Sequence, residues 1–226
     1  MDGMSREKWD KMTKDQKREH IWEYYKIPIV AVLAVIAVLI WFTYIDLTHV
    51  DPLMDVIMTD MDEELLDDSA YQEFLKENDY EAYIGAVSLN QNLYFYLDDP
   101  DNSNYETNGT SYQILYGMIS SKTQEILFSQ PKVFGVCAAE GAMMDLSRVL
   151  PQELLDLHEE RLLYVVDEET GEKYPYGVNV EGNPWMEQVQ KGYKGYVGII
   201  KTTDAPEMAI DFIVYFLNQF EMVDET

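Results

Sequence analysis

Cysteine is almost missing from this chain: Cys137 stands alone. One thiol excludes an intrachain disulfide, a multi-cysteine zinc or iron–sulfur site and a dithiol redox pair, and with them the small disulfide-stapled secreted domain. Positive charge is also scarce, with 16 Lys and Arg against 42 Asp and Glu and a formal net charge of −26. Binding DNA or RNA needs Lys and Arg to displace the counterions condensed on phosphates, so nucleic acid is not expected as a partner. The three histidines read as scattered, His20 in the N-terminal leader, His49 at the exit of a long apolar run and His158 on a surface-like helix, and suggest no metal or acid/base cluster. No G-x-S-x-G, H-E-x-x-H or Walker A pattern occurs. The expectation is a protein that is not an enzyme and carries no cofactor and no metal.

Apolar residues are plentiful at 47%, with 13% aromatics, which supports a real core and argues against a disordered solvating chain. Their placement is uneven. Residues 1–26 hold seven basic and six acidic groups, whereas the remainder holds 9 basic and 36 acidic. Between these regions run nineteen residues without charge, Ile27 to Ile45. As a helix they would be about 28 Å long, the thickness of a bilayer's hydrocarbon layer. Trp22, Tyr24 and Tyr25 before the run and Trp41, Phe42 and Tyr44 at its end match interfacial aromatic belts. Seven Lys and Arg precede it and the next basic residue is Lys76, so the positive-inside rule places the N-terminus in the cytoplasm. The exit, WFTYIDLTH, lacks the small residues of a signal-peptidase site, which favours an uncleaved anchor over a signal peptide. Thr13 and Gln16 form a capping-box pair that starts a helix leading into the span, and Pro28 is expected in the first turn of the span. The division read here is a cytoplasmic leader over 1–26, a transmembrane helix over 27–45 and an extracellular domain over 46–226, with the lipid bilayer as first partner.

The outer part alternates strand-like and helix-like segments without an internal repeat, which predicts an α/β domain built on a mixed sheet. Leu53 to Met58 reads as a strand, and Ser69 with Gln72 caps a helix to Glu77. Tyr80 to Leu89 and Asn92 to Leu97 read as a hairpin turning at Asn90 and Gln91. A polar loop over Asp98 to Gly109 precedes a helix from Thr110 to about Lys122. Then come a strand at Glu125 to Phe128, a strand or turn at Lys132 to Val136, and a helix beginning within Ala138 to Met144. Pro151 opens a helix to His158, and Leu162 to Asp167 with Glu172 to Val180 flanks a hairpin turn. Gly195 to Ile200 is a buried strand, and a final helix starts with Asp204 and Glu207 as a capping box and Pro206 in its first turn, placing Ala209, Phe212, Ile213, Phe216, Leu217 and Phe220 on one stripe.

The segment PKVFGVCAAEGAMMDLSRVL (131–150) is followed by PQEL, a GEKYPYGV hairpin, GYVGI and the helix TTDAPEMAIDFIVYFL. In that order, these features resemble the extracellular solute-binding proteins of ABC importers, over about Leu53 to Gln219. The leader, with KWDKMTK (8–14) and WEYYKIP (22–28), resembles that of membrane-anchored relatives in Gram-positive anaerobes. The resemblance implies a type 2 periplasmic-binding-protein-like domain. Such proteins have two lobes in roughly twice this length, so the domain is expected to be reduced. It also implies capture of a small solute or peptide, with a permease or another envelope protein as partner. The alternative is a non-catalytic scaffold that has lost its ligand. By position, Glu140 near the start of a helix, Tyr174 and Tyr176 in the crossing segment, Asn179 and Trp185 are the ligand-binding candidates. Each also fits a packing role. Asp99, Asp101 and Ser103 imitate the start of a calcium loop, but Asn104 and Thr110 stand where its Gly and bidentate Glu belong. The acidic run Asp60, Asp62, Glu63, Glu64, Asp67, Asp68 reads as a solvated face. Cys137 reads as a small buried hydrophobe.

Overall fold

A computed structural model describes residues 9–48, 54–61, 71–80, 87–97, 104–166, 171–203 and 206–224. The chain divides into two compact units, Met1–Val50 and Asp51–Thr226.

The first unit is built on α1 (Lys14–Thr48), one continuous helix. Its capping box forms as expected: the Thr13 N–H donates to Gln16 Oε1 at 3.1 Å and the Gln16 N–H to Thr13 Oγ1 at 3.4 Å. Because the helix starts at Lys14, Pro28 lies in its interior, a correction to its expected place in a first turn. Thr43 returns its hydroxyl to the Leu39 carbonyl at 2.8 Å, so this polar side chain adds no unmet donor to the apolar stretch. Tyr25–Ile45 is long and apolar enough to cross a bilayer, and its side chains are exposed throughout.

The second unit is a mixed α/β structure. Its sheet, in described residues, has six strands: β1 (Met54–Thr59), β2 (Val87–Leu93), β3 (Ile126–Ser129), β4 (Leu162–Val166), β5 (Lys173–Asn179) and β6 (Tyr196–Ile199). They lie in the order β2-β1-β3-β6-β5-β4, and a single bridge pairs Met143 with Ile200. β2, β1 and β3 are mutually parallel, and β6, β5 and β4 continue antiparallel. The helices are α2 (Gln72–Glu77), α3 (Tyr105–Ser120), α4 (Pro131–Ala139), α5 (Gln152–Leu157), α6 (Pro184–Val189) and α7 (Pro206–Asp224).

Strand alternation divides the core into two layers. Met54, Val56 and Met58 of β1, Ile126 and Phe128 of β3 and Val197 and Ile199 of β6 face α2, α6 and α7. Ile57, Leu127 and Tyr196 face α3 and α4 on the other side. The stripe of α7 from Ala209 to Phe220 is buried as its periodicity requires. Close approach is enforced by glycine: a Cβ at Gly195 would lie 2.5 Å from the Ser129 carbonyl oxygen, and one at Gly177 the same distance from the Phe134 ring. In β5 the partners of Leu163 and Tyr164 are Gly177 and Pro175, which leaves Tyr176 as the extra residue of a bulge, packed against the α3/α4 core layer.

Four local expectations are corrected. β2 is one strand running through Asn90 and Gln91, because its backbone pairs in parallel with β1 (Met54 opposite Val87, Ile57 opposite Asn90) rather than folding on itself. α3 begins at Tyr105, five residues early, and Asn108 exchanges hydrogen bonds with the Tyr96 backbone at 2.8 and 3.1 Å. Residues 131–139 are helical, since Pro131 suits a first turn and Val133, Phe134, Cys137 and Ala138 share one buried face. His158 ends α5 with only 4% of its surface exposed and is no surface histidine. Ser69, Asp204, His49, the Asp99–Ser103 segment and the acidic residues from Asp62 to Asp68 lie outside the described residues.

Candidate functional site

The five expected ligand residues do not converge. Trp185 is 4% exposed at the centre of the α6/α7 layer, stacked on Phe128 at 5.7 Å and edge-on to Tyr71, Phe212 and Phe216. Asn183 fixes it there, accepting from the Trp185 and Met186 N–H groups and donating to the Phe216 carbonyl at 2.8 Å. Glu140 caps the C-terminal end of α4, not a helix start, and is exposed. Tyr174, near the start of β5, donates to Glu172. Tyr176 packs on the α3/α4 layer. Asn179 ends β5 and accepts from the Glu181 N–H at 2.8 Å. It borders an open hollow of about 420 Å³ with His158, Arg161 and Glu181, where Arg161 lies 3.7 Å from the Phe220 ring centre.

The topology points to a different place. β1 has β2 on one side and β3 on the other, all parallel, and such a reversal of strand order opens a crevice at the carboxyl ends of the strands. Those ends are Thr59–Asp60, Leu93–Phe95 and Ser129. Thr59 Oγ1 and Ser129 Oγ are 2.8 Å apart, buried, and the Tyr193 hydroxyl donates to the Thr59 carbonyl at 3.1 Å. Tyr94 donates to the Met61 carbonyl at 3.0 Å.

Asp60 holds the middle of this edge. Its φ is +58°, a left-handed conformation that L-residues other than Asn and Asp seldom adopt. Its N–H donates to the Leu93 carbonyl at 2.9 Å, and its Oδ1 accepts from the Phe95 N–H at 2.6 Å, so this residue clamps β2 to β1. Oδ2 is buried and has no hydrogen-bond partner among the described residues. Burial pushes the carboxyl above its ordinary range, opposed by the Phe95 N–H and by the nearby Thr59 hydroxyl, which pairs with Ser129 and makes no hydrogen bond to Oδ2. Burial raises Tyr112 and Tyr193, and the charge of Asp60 adds to both shifts. Chemically, the edge offers one unmet anionic acceptor framed by phenols and the Phe95 ring, which lies 4.8 Å from Tyr112.

In the sequence Asp60 reads as the first member of a solvated acidic run. The signal that could have separated it is its position: it directly follows the apolar strand LMDVIMT, where strand-end residues line α/β crevices. No group of three or more His, Cys, Asp or Glu suited to a metal ion occurs among the described residues. Comparisons of the chain with protein-family models, curated proteins and solved structures find no match.

Proposed function

We propose that this chain is a membrane-anchored binding domain displayed outside the cell, related in fold to the type 2 periplasmic-binding solute-binding proteins and reduced to one sheet. It captures a small solute at the carboxyl edge of β1, β2 and β3 without chemistry on it. The observation that carries the reading is Asp60: a left-handed, half-buried carboxylate with one buried oxygen unmet, at the strand-order reversal. Buried polar atoms are nearly always satisfied, so an orphan at such an edge is a place kept for a ligand donor.

Further support comes from the segments that carry the family resemblance. DLS forms a tight turn, with Asp145 accepting from the Ser147 N–H at 3.0 Å and pairing with Arg148 at 3.1 Å. YPYG lies in β5, and the terminal helix packs on the sheet. For the anchor, the support is the 21-residue apolar helix segment and the basic residues preceding it. The scattering of Glu140, Tyr174, Tyr176, Asn179 and Trp185 favours the second reading, a scaffold for envelope proteins. The test is a thermal-shift panel of sugars, amino acids and short peptides on the full chain in nonionic detergent. Solute capture requires at least one saturable rise that Asp60→Asn abolishes; no rise across the panel leaves the scaffold.

A further inference from the structure

A second hollow lies between the end of α2 and the middle of α7 and shares no lining residue with the strand-end edge. It has a volume of about 220 Å³ and is lined by Glu77, Asn78, Asp211, Tyr215, Asn218 and Gln219, with Val214 as its apolar contribution. Its walls are fixed by packing beneath: Phe74 of α2 meets Phe212 edge-on at 5.2 Å and Tyr215 at 5.5 Å. The Tyr80 hydroxyl donates to Asp211 Oδ2 at 2.8 Å and holds that carboxylate in place.

Two features distinguish the hollow from an ordinary acidic surface. Tyr215 is only 4% exposed, yet its hydroxyl has no hydrogen-bond partner among the described residues. Gln219, 6% exposed, puts a second buried polar side chain on the wall. A phenol in a tight aromatic layer normally finds a partner for its oxygen. Here burial, with Glu73 and Glu77 adding, pushes the phenol up to about 12, so it stays protonated and neutral at physiological pH. Among the described residues, no Lys, Arg or His lines the hollow to neutralise Glu77 and Asp211.

We infer that this hollow binds the ammonium group of a small alkylamine. An –NH3+ group brings three donors and no acceptor, and the wall supplies carboxylate oxygens from Glu77 and Asp211 and the unmet Tyr215 oxygen. Asn218 and Gln219 line the hollow as well, and each side-chain amide carries one further acceptor oxygen. A divalent metal fits less well, since no cluster of three or more acidic, His or Cys ligands occurs among the described residues. The small volume, below the roughly 300–1,000 Å³ of drug-sized sites, selects a short chain. The net charge of −26 attracts cations to the whole domain, so specificity must come from the hollow itself.

The test uses the full chain in nonionic detergent with butylamine hydrochloride as probe. Sodium chloride at equal ionic strength and 1-butanol serve as controls, and melting temperature and calorimetric titration as readouts. Butylamine should produce a saturable rise in melting temperature that neither control gives. Glu77→Gln, at an exposed helix end, should weaken binding at least fivefold, and so should Tyr215→Phe. Tyr215→Phe carries the sharper test, because deleting an unmet hydroxyl leaves the melting temperature of the free protein unchanged or higher while amine binding falls. Asp60→Asn should leave the amine response intact, which separates this site from the strand-end edge. Butylamine acting no more strongly than sodium chloride, or binding equally to both hollow variants, overturns the inference.

Discussion

Replacing Asp60 by Asn separates the ligand chemistry of the strand-end edge from its folding. Asn tolerates the left-handed backbone at φ +58° as Asp does, and its carbonyl oxygen can keep the 2.6 Å bond from the Phe95 N–H. What disappears is the charge: an amide Nδ2 takes the place of the unmet Oδ2 and is still a buried polar atom, but the cost of ionising a half-buried carboxyl is gone. Each unit of upward shift in a carboxyl's pKa costs the folded state about 1.4 kcal/mol on ionisation. Solvent screening of a half-buried group keeps the cost small, so the variant should be more stable at pH 7 by about 1 kcal/mol. At about 2–4 °C per kcal/mol for a domain of this size, that is a rise of a few degrees. The pH dependence follows from the direction of the shift. Burial raises the folded-state value above the ordinary 3.8, so the folded chain holds this proton more tightly than the unfolded one. Ionisation therefore costs stability as pH rises through that window, fully above the folded value and not at all below about 3.8. The advantage of Asp60→Asn should be largest at neutral pH and fade on acidification, while any solute response of the parent is lost. Paired urea titrations across the acid range, with the solute panel at pH 7, read both effects. A variant less stable than the parent at pH 7, or a difference independent of pH, would refute the reasoning.

Other consequences are equally direct. Trp185→Ala should lose about 3–5 kcal/mol in urea unfolding, as expected for a ring packed among Tyr71, Phe128, Phe212 and Phe216; a loss below about 1 kcal/mol would contradict its core role. Glu125 is 6% exposed and raised by burial despite accepting from the Asp55 N–H at 2.5 Å and the Thr203 hydroxyl at 3.1 Å, so Glu125→Gln should stabilise at neutral pH, with the gain vanishing below the ordinary 4.5. Gly195→Ala should cost about 1–3 kcal/mol, because its methyl would meet the Ser129 backbone oxygen, whereas Gly109→Ala, inside α3 with open space around it, should gain about 0.5–1 kcal/mol. For the proposed topology, protease added to intact cells should digest the acidic domain and spare the leader; digestion of the leader alone would reverse the orientation.

The sequence by itself determined what periodicity and local chemistry can specify. Nineteen uncharged residues require an apolar helix wherever they sit, and Thr13 with Gln16 caps it through bonds three residues apart. The stripe from Ala209 to Phe220 announces its buried face, and the β4–β5 pairing follows from two strand-like runs around a short turn. Tertiary structure alone decided what each buried face meets. Asn90 and Gln91 read as a turn until parallel pairing with β1 draws them into a strand, and Val133 and Phe134 read as a strand until α4 places them beside Cys137 and Ala138. Trp185 could line a cleft or a core, and only the approach of Phe128, Phe212 and Phe216, 27–57 residues away in the chain, makes it core. Asp60 looked like one acid in a run until β2 and β3 arrived on either side of β1. The reason is general: a side chain's spacing records that it is buried, but its environment depends on segments distant in the chain, whose contacts no local pattern encodes.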